Sequence, residues 1–152
     1  MSQENCACSK DIMIFACSGA SNLGQLANQA AVELTQEGFG KMFCLAQIGA
    51  NIGKYVQSAK VMDEIVVIDG CEKACGKTVL ENALMHMKKH IVISRLGIKE
   101  KNNFFNNPDD LAAVKHKVKL AFPYPIKVTF PSSTPLSPGD RAKSRQLGGK
   151  CC

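Results

Sequence analysis

The chain has 152 residues, of which 45% are apolar and 21% charged. This composition is typical of one folded domain and excludes a globally disordered chain. No apolar run reaches the roughly 18 residues of a membrane-spanning helix, and the polar N-terminus does not resemble a signal peptide. We therefore expect a cytoplasmic protein that has no membrane partner.

The formal net charge of +6 raises the question of nucleic-acid binding. Residues 1–97 carry equal numbers of basic and acidic side chains, so the whole excess lies in the last third of the chain. Much of it belongs to four residues with no aromatic side chains between them to stack on bases, namely Arg141, Lys143, Arg145 and Lys150. A solvated basic tail is favoured over a specific nucleic-acid partner.

Apolar runs alternate with helical patterns along the chain. This order predicts an α/β fold with a Rossmann-like parallel sheet of about four strands and helices on both faces. Asn107 is the expected cap of the last helix, and Pro108 lies in its first turn. The predicted elements, in chain order, are strand 11–17, helix 23–37, strand 41–46, helix 52–60, strand 64–69, helix 75–88, strand 90–94 and helix 108–120.

Proline is concentrated at the C-terminal end of the chain, where Pro123 and Pro138 bound a proline-rich segment. Because proline removes backbone hydrogen-bond donors, such a segment builds little continuous helix or strand. We therefore predict a folded domain over residues 1–122 and a poorly ordered, proline-rich, basic extension over residues 123–152.

The eight cysteines are the unusual feature of the composition. In a chain expected in the cytoplasm they indicate metal or redox chemistry rather than a disulfide scaffold. Cys17 ends the first predicted strand, Cys44 lies near the end of the second, Cys71 follows the third, and Cys75 begins the next helix. Because the carboxyl ends of parallel strands meet at one edge of a sheet, the four thiols are predicted to converge there. Cys17 or Cys44 alone would be interpreted as a small buried apolar residue, whereas the whole set favours a site.

Two kinds of chemistry fit these thiols. Cys71 and Cys75 are four residues apart, so they would share one face of a first helical turn, where a thiol pKa is lowered. Four thiolates suit tetrahedral Zn²⁺ in a structural, sensing or transfer site, and they also suit an iron–sulfur cluster. The alternative is a metal-free thiol–disulfide oxidoreductase or sulfur carrier, with a reversible Cys71–Cys75 disulfide and Cys17 as nucleophile. The spacing does not choose between them and leaves enzyme activity open.

The remaining cysteines lie near the chain termini. Cys6 and Cys8 form a C-x-C pair, which is too short for a comfortable disulfide but can ligate metal. They are therefore additional candidate ligands, and a disordered arm with reactive thiols is an equally good interpretation. Cys151 and Cys152 are interpreted as an unstructured end.

Asp69, at the end of the third predicted strand, has two candidate roles. It is either a hydrogen-bond acceptor that supports the thiolates or the cap of the next helix. The histidines share no ligand spacing with the cysteines, so each is interpreted as a surface or helix residue. These are His86, His90 and His116.

The loop after the first strand is a candidate anion-binding loop at a helix N-terminus. Its candidate contacts are Ser18, Gly19, Ser21 and Asn22. A simple helix cap by one of its side chains is the modestly preferred interpretation.

The motifs that surround the cysteines form a set. They are Cys17-Ser18-Gly19-Ala20 with Leu23-Gly24, Gly40-Lys41-Met42-Phe43-Cys44-Leu45-Ala46, Ile48-Gly49, and Asp69-Gly70-Cys71 with Cys75. This set resembles the DGC domain family, whose name matches the tripeptide at residues 69–71, and the similarity covers about residues 6–121. The resemblance implies a small prokaryotic cytoplasmic protein whose four core cysteines bind zinc. It brings no assigned reaction with it.

Overall fold

The computed structural model describes residues 11–62 and 64–122. The predicted C-terminal extension and the four terminal cysteines lie outside these residues. Within them the chain builds one parallel four-stranded sheet in the order β2-β1-β3-β4, with helices on both faces, which confirms the predicted α/β fold. The elements are β1 Ile12–Ala16, α1 Asn22–Gln36, β2 Lys41–Met42, α2 Leu45–Gly49, α3 Gly53–Lys60, β3 Glu64–Asp69, α4 Cys75–Asn82, β4 Lys89–Val92, a 3₁₀ turn Ile93–Leu96, and α5 Pro108–Leu120.

The two central strands are buried along their whole length. Every residue of β1 and of β3 is buried, and the strands pair in parallel from Ile12 opposite Glu64 to Ala16 opposite Ile68. Both sequences are nearly continuous apolar runs, as expected of strands that are covered on two faces.

Alternate residues of these strands build two separate cores. Ile14 and Ile68 face the side covered by α1 and α5. Phe15 and Val67 face the other side, together with residues of α2, α3 and α4. Each fully buried side chain of this size contributes about 1.5–3 kcal/mol, so the two layers of helices are held to the sheet mainly by apolar burial.

The boundaries of α1 and α5 follow local signals in the sequence. The Ser21 hydroxyl accepts a hydrogen bond from the Gly24 amide at 3.3 Å and caps α1. Gly38, with φ 77°, adopts the left-handed conformation that commonly follows a helix end. Asn107 caps α5 by accepting from the Asp109 amide at 3.1 Å, and Pro108 occupies the first turn, which confirms that prediction.

Two predicted elements are shorter than expected by four residues or more. The second strand covers only Lys41–Met42, and α2 begins at Leu45, so Cys44 is the residue before a helix and not part of a strand. A short apolar run does not by itself distinguish a strand from a helix. Helix α4 ends at Asn82 instead of residue 88, because Leu84 turns to φ 55° and the Met85 amide donates to the Leu80 carbonyl at 3.0 Å.

Over the described ranges, no helix combines the length and the apolar character needed to cross a membrane.

Candidate functional site

An open cleft of about 680 Å³ lies where β1 and β2 end. Three of the four predicted ligands line it, namely Cys17, Cys44 and Cys75. Cys17 follows β1, Cys44 precedes α2, and Cys75 is the first residue of α4. Three separate strand-to-helix connections therefore each bring one thiol to the same cleft.

Cys17 is the most enclosed of these three residues. Its amide extends the sheet by donating to the Ile68 carbonyl at 2.9 Å, and its sulfur accepts from the Gly19 amide at 3.3 Å. Burial raises the pKa of the Cys17 thiol, and the nearby Asp69 and Cys75 raise it further. Backbone hydrogen bonds from Gly19 and Gly70 oppose this rise but do not cancel it. Cys17 is thus a protonated thiol at neutral pH, placed among donors that would stabilise its thiolate.

Cys71 is placed differently from the other three cysteines. It is partly buried against the α1 side of the sheet and is not among the cleft-lining residues. Its carbonyl accepts from the Ala74 amide at 3.1 Å, and Ala74 has a left-handed φ of 50°, so the chain turns before α4 begins at Cys75. Cys71 and Cys75 therefore do not share a helical turn, and the prediction that they lie on one helix face was wrong.

Asp69 holds the start of α4. Its carboxylate is 1% exposed and accepts from the amides of Gly76 at 2.7 Å and Lys77 at 3.0 Å. The same carboxylate lies 2.9 Å from the Nε2 atom of His90 on β4. The direct contacts of Asp69 are thus those of a helix cap. They fix the position of the first turn of α4, which contains Cys75.

His90 is the residue of this site that sequence reasoning missed. It reaches Asp69 because β4 lies beside β3, with His90 opposite Val67. The two residues are 21 positions apart in the chain, so no local spacing signals their contact. Only the pairing of β3 with β4 would have revealed it.

Glycines allow the cysteine loops to approach one another. A Cβ at position 70 would lie 2.8 Å from the backbone of Leu23, and one at position 24 would lie 2.5 Å from the Gly19 carbonyl oxygen. Both distances are shorter than any ordinary carbon contact. The contact at Gly70 places the start of α1 directly against the end of β3, and the contact at Gly24 places the loop after β1 against α1. The Asp-Gly-Cys tripeptide therefore combines a helix-capping carboxylate, a close backbone contact and a thiol.

The loop after β1 uses most of its polar groups internally. Ser21 caps α1, and the Asn22 side chain donates to the Lys99 carbonyl and accepts from the Lys101 amide. The Ser18 hydroxyl donates to the Asn28 side chain at 3.2 Å, and the Gly19 amide points to the Cys17 sulfur. These contacts agree with the cap interpretation, and binding of an external anion by this loop stays a prediction.

The thiols are suitable ligands for a soft metal ion, but their side chains are not arranged around a common point. Cys17, Cys44, Cys71 and Cys75 are all free thiols. Across residues 11–62 and 64–122, no three His, Cys, Asp or Glu side chains are arranged to hold a metal ion. The donor set on the cleft fits Zn²⁺, whereas its spacing would have to tighten on binding.

Comparisons with known proteins point to one family. The family model described as the DGC domain matches residues 13–118. The chain is 33% identical over 89 residues to the anaerobic and virulence modulator AnvM of Pseudomonas aeruginosa, an alignment that covers 59% of this chain and 68% of that protein. No solved structure matches the chain. The matched range contains every cysteine of the described residues.

Proposed function

Because the chain belongs to the DGC domain family, we propose that it binds Zn²⁺ through cysteine thiolates at the carboxyl edge of its sheet. The observation that carries the proposal is the cleft shared by Cys17, Cys44 and Cys75. Cys71, in the turn that leads to Cys75, does not line the cleft and would have to move toward it to supply the fourth thiolate. Residues scattered along the chain come to one edge only through the parallel sheet order, so the placement follows from the fold rather than from local sequence.

The surroundings of Cys17 support this chemistry. A divalent cation would offset the burial that keeps its thiol protonated, and the Gly19 amide already donates to the sulfur. Zinc–sulfur bonds of about 2.3 Å require sulfurs roughly 3.8 Å apart. Cys44 and Cys75 are both exposed, so their side chains are free to move toward Cys17. Asp69 supports the site by holding the first turn of α4.

The exposure of two ligands bears on the role of the metal. A structural zinc site is usually closed on all sides, whereas Cys44 and Cys75 lie on an open cleft. A sensing or transfer site is therefore favoured over a purely structural one. A cytoplasmic location, where thiols stay reduced, is part of the proposal.

The alternative function, a thiol–disulfide oxidoreductase or sulfur carrier, needs Cys17 as a thiolate nucleophile. Burial raises the pKa of Cys17 and so lowers the fraction of thiolate at neutral pH. The surroundings of Cys17 therefore favour a metal ligand over a free nucleophile.

Metal analysis of the full chain, purified without oxygen, tests the proposed function. We expect about one zinc per chain, and replacement of Cys17, Cys44, Cys71 or Cys75 by Ser should lower both zinc content and thermal stability, because metal-binding free energy adds to folding free energy. Iron with sulfide would instead identify an iron–sulfur cluster.

Cysteines outside the described residues supply the matched controls. The Cys151→Ser and Cys152→Ser double variant should keep its zinc, and loss of zinc in the Cys6→Ser and Cys8→Ser double variant would add those residues to the ligands. A metal-free chain that takes up no zinc and cycles a Cys71–Cys75 disulfide would replace the proposal by its alternative.

A further inference from the structure

The cleft is larger than a metal ion requires. Its volume of about 680 Å³ falls within the range of roughly 300–1,000 Å³ that is typical of small-molecule sites. The three cysteines that line it lie on separate strand-to-helix connections, and other residues form the rest of its walls. The chemistry of those walls indicates which second ligand the cleft fits.

Those walls are uncharged and polarizable. Of the described residues that line the cleft, only the three cysteines have ionisable side chains. Met42 and Phe43 line the cleft at the end of β2, and Val79 of α4 lines it as well. The Phe43 ring is held in place by Phe15, with 6.3 Å between ring centroids. Sulfur atoms and an aromatic ring in one lining favour a flat aromatic ligand.

One part of the cleft lining is polar. The Ser18 hydroxyl donates to the Asn28 carbonyl oxygen at 3.2 Å, and both residues line the cleft. In the part of the chain that the structure describes, the amide nitrogen of Asn28 has no hydrogen-bond partner. A ligand oxygen next to Asn28 would accept from that amide.

We propose that the cleft binds an uncharged aromatic small molecule that carries one hydrogen-bond acceptor, such as a carbonyl oxygen. The ring packs against Met42, Phe43 and Val79, and the acceptor receives a hydrogen bond from Asn28. Among the described residues, no Lys, Arg or His lines the cleft to offset the lost hydration of an anion, and no Asp or Glu lines it to offset that of a cation. An ionised ligand is therefore disfavoured. The proposal uses the same cleft as the proposed function but does not depend on a bound metal.

A pair of naphthalenes that differ in charge tests this proposal. The full ¹⁵N-labelled chain, with and without zinc, is titrated with 1-acetylnaphthalene and with 1-naphthoate while amide chemical shifts are followed. We expect saturable one-to-one binding of the ketone, with shifts at Gly19, Ala46 and Val79, and affinity for the carboxylate lower by about tenfold or more. Equal affinities, unsaturable shifts or shifts centred elsewhere would overturn the proposal.

Two alanines near α2 give a matched pair of variants. Ala46 lines the cleft, whereas Ala50 does not, and both are exposed. Ala46→Phe fills the cleft and should weaken ketone binding about tenfold or more, whereas Ala50→Phe should not change it. Asn28→Leu should lower the affinity for 1-acetylnaphthalene to that for 1-methylnaphthalene, and an unchanged preference for the ketone would contradict the role of Asn28.

The outcomes separate this proposal from the proposed function. Normal zinc binding without saturable ketone binding would overturn the aromatic ligand alone. Saturable ketone binding by a chain that takes up no zinc would support the ligand and overturn the metal site alone.

Discussion

At the scale of single residues, one buried carboxylate organises the candidate site. Asp69 receives hydrogen bonds from two amides of α4 and contacts His90 on the neighbouring strand. Hydrogen bonds to a charged group stabilise a fold by about 1.5–3 kcal/mol, more than bonds between neutral groups. Asp69 therefore joins β3, β4 and α4 at the position where Cys75 enters the cleft.

Replacing Asp69 by Asn should lower the free energy of unfolding by about 2 kcal/mol. One carboxylate oxygen becomes an NH₂ group, which cannot accept the hydrogen bond that this oxygen accepts in the unchanged chain. Urea denaturation at pH 7 measures this loss. His90→Gln is the matched control, since it changes one of the three contacts and should cost less. An Asp69→Asn protein as stable as the unchanged chain would contradict this role of Asp69.

The sequence predicted Asp69 as a functional position but not its complete set of partners. A cap on the following helix is a local relation, and residues a few positions apart suffice to predict it. The contact with His90 depends on which strands pair and in what register. The separate position of Cys71 depends on the left-handed turn at Ala74, a conformation that alanine does not signal.

At the scale of elements, α1 and α5 are joined by a charged cluster as well as by apolar packing. Lys115 lies 2.6 Å from Glu33 and 2.7 Å from Glu37, and Lys119 also contacts Glu37. Hydrogen bonds from Lys115 lower the pKa values of Glu33 and Glu37, and the same bonds raise the pKa of Lys115. The packing of α5 against α1 is therefore stabilised more when these carboxylates and the Lys115 ammonium are charged than when they are neutral.

These shifts predict a pH window for the stabilisation. Carboxylates with lowered pKa values stabilise the fold above their ordinary pKa near 4.3, and this contribution disappears as pH falls through the lowered values. The raised pKa of Lys115 gives a contribution below about pH 10.4 that disappears as pH rises through the raised value. The cluster thus acts fully between about pH 5 and pH 10.

Lys115→Met should lower the free energy of unfolding at pH 7 by at most about 1 kcal/mol, because the groups are partly exposed and screened by solvent. The loss should shrink toward pH 3 and in high salt. Denaturation curves at pH 7 and pH 3 measure it, with the exposed Lys117→Met as control. A loss of equal size at both pH values would show that packing, not charge, is responsible.

Prediction of the elements succeeded where a pattern was long. The β3 strand and the α5 helix agree with their predicted bounds because each has a sustained pattern and a clear start. The predicted second strand is too long because Phe43, Cys44 and Leu45 form an apolar run that fits a strand and a helix equally well. Helix α4 was overextended because Leu84 ends it in a left-handed conformation that glycine usually supplies.

At the scale of the whole molecule, the predicted domain boundary falls next to a buried aromatic residue. Phe122 is 5% exposed, and its ring meets that of Phe39 edge-on, with centroids 5.8 Å apart. The contact fastens the end of α5 to the segment that enters β2. Residues 123–152, whose composition predicts a poorly ordered extension, begin immediately after it.

Two truncations test this boundary. A chain ending at Phe122 should keep the thermal stability and zinc content of the full chain, whereas one ending at Leu120 should lose about 3 kcal/mol because it lacks the buried Phe122 ring. Thermal and urea unfolding compare the two chains. A large loss in the longer truncated chain would show that residues 123–152 are docked and that the predicted boundary is wrong.

The direct backbone contact between α1 and β3 has an evolutionary consequence. Side chains that line the cleft, such as Met42 and Val79, can be substituted one at a time. The ligand specificity of the cleft can therefore differ between related proteins. Gly24 and Gly70 meet main chain at distances that admit no methyl group, and no substitution elsewhere removes a peptide backbone. Descendants of this chain can therefore change what the cleft accepts while they inherit, unaltered, the scaffold that places the thiols.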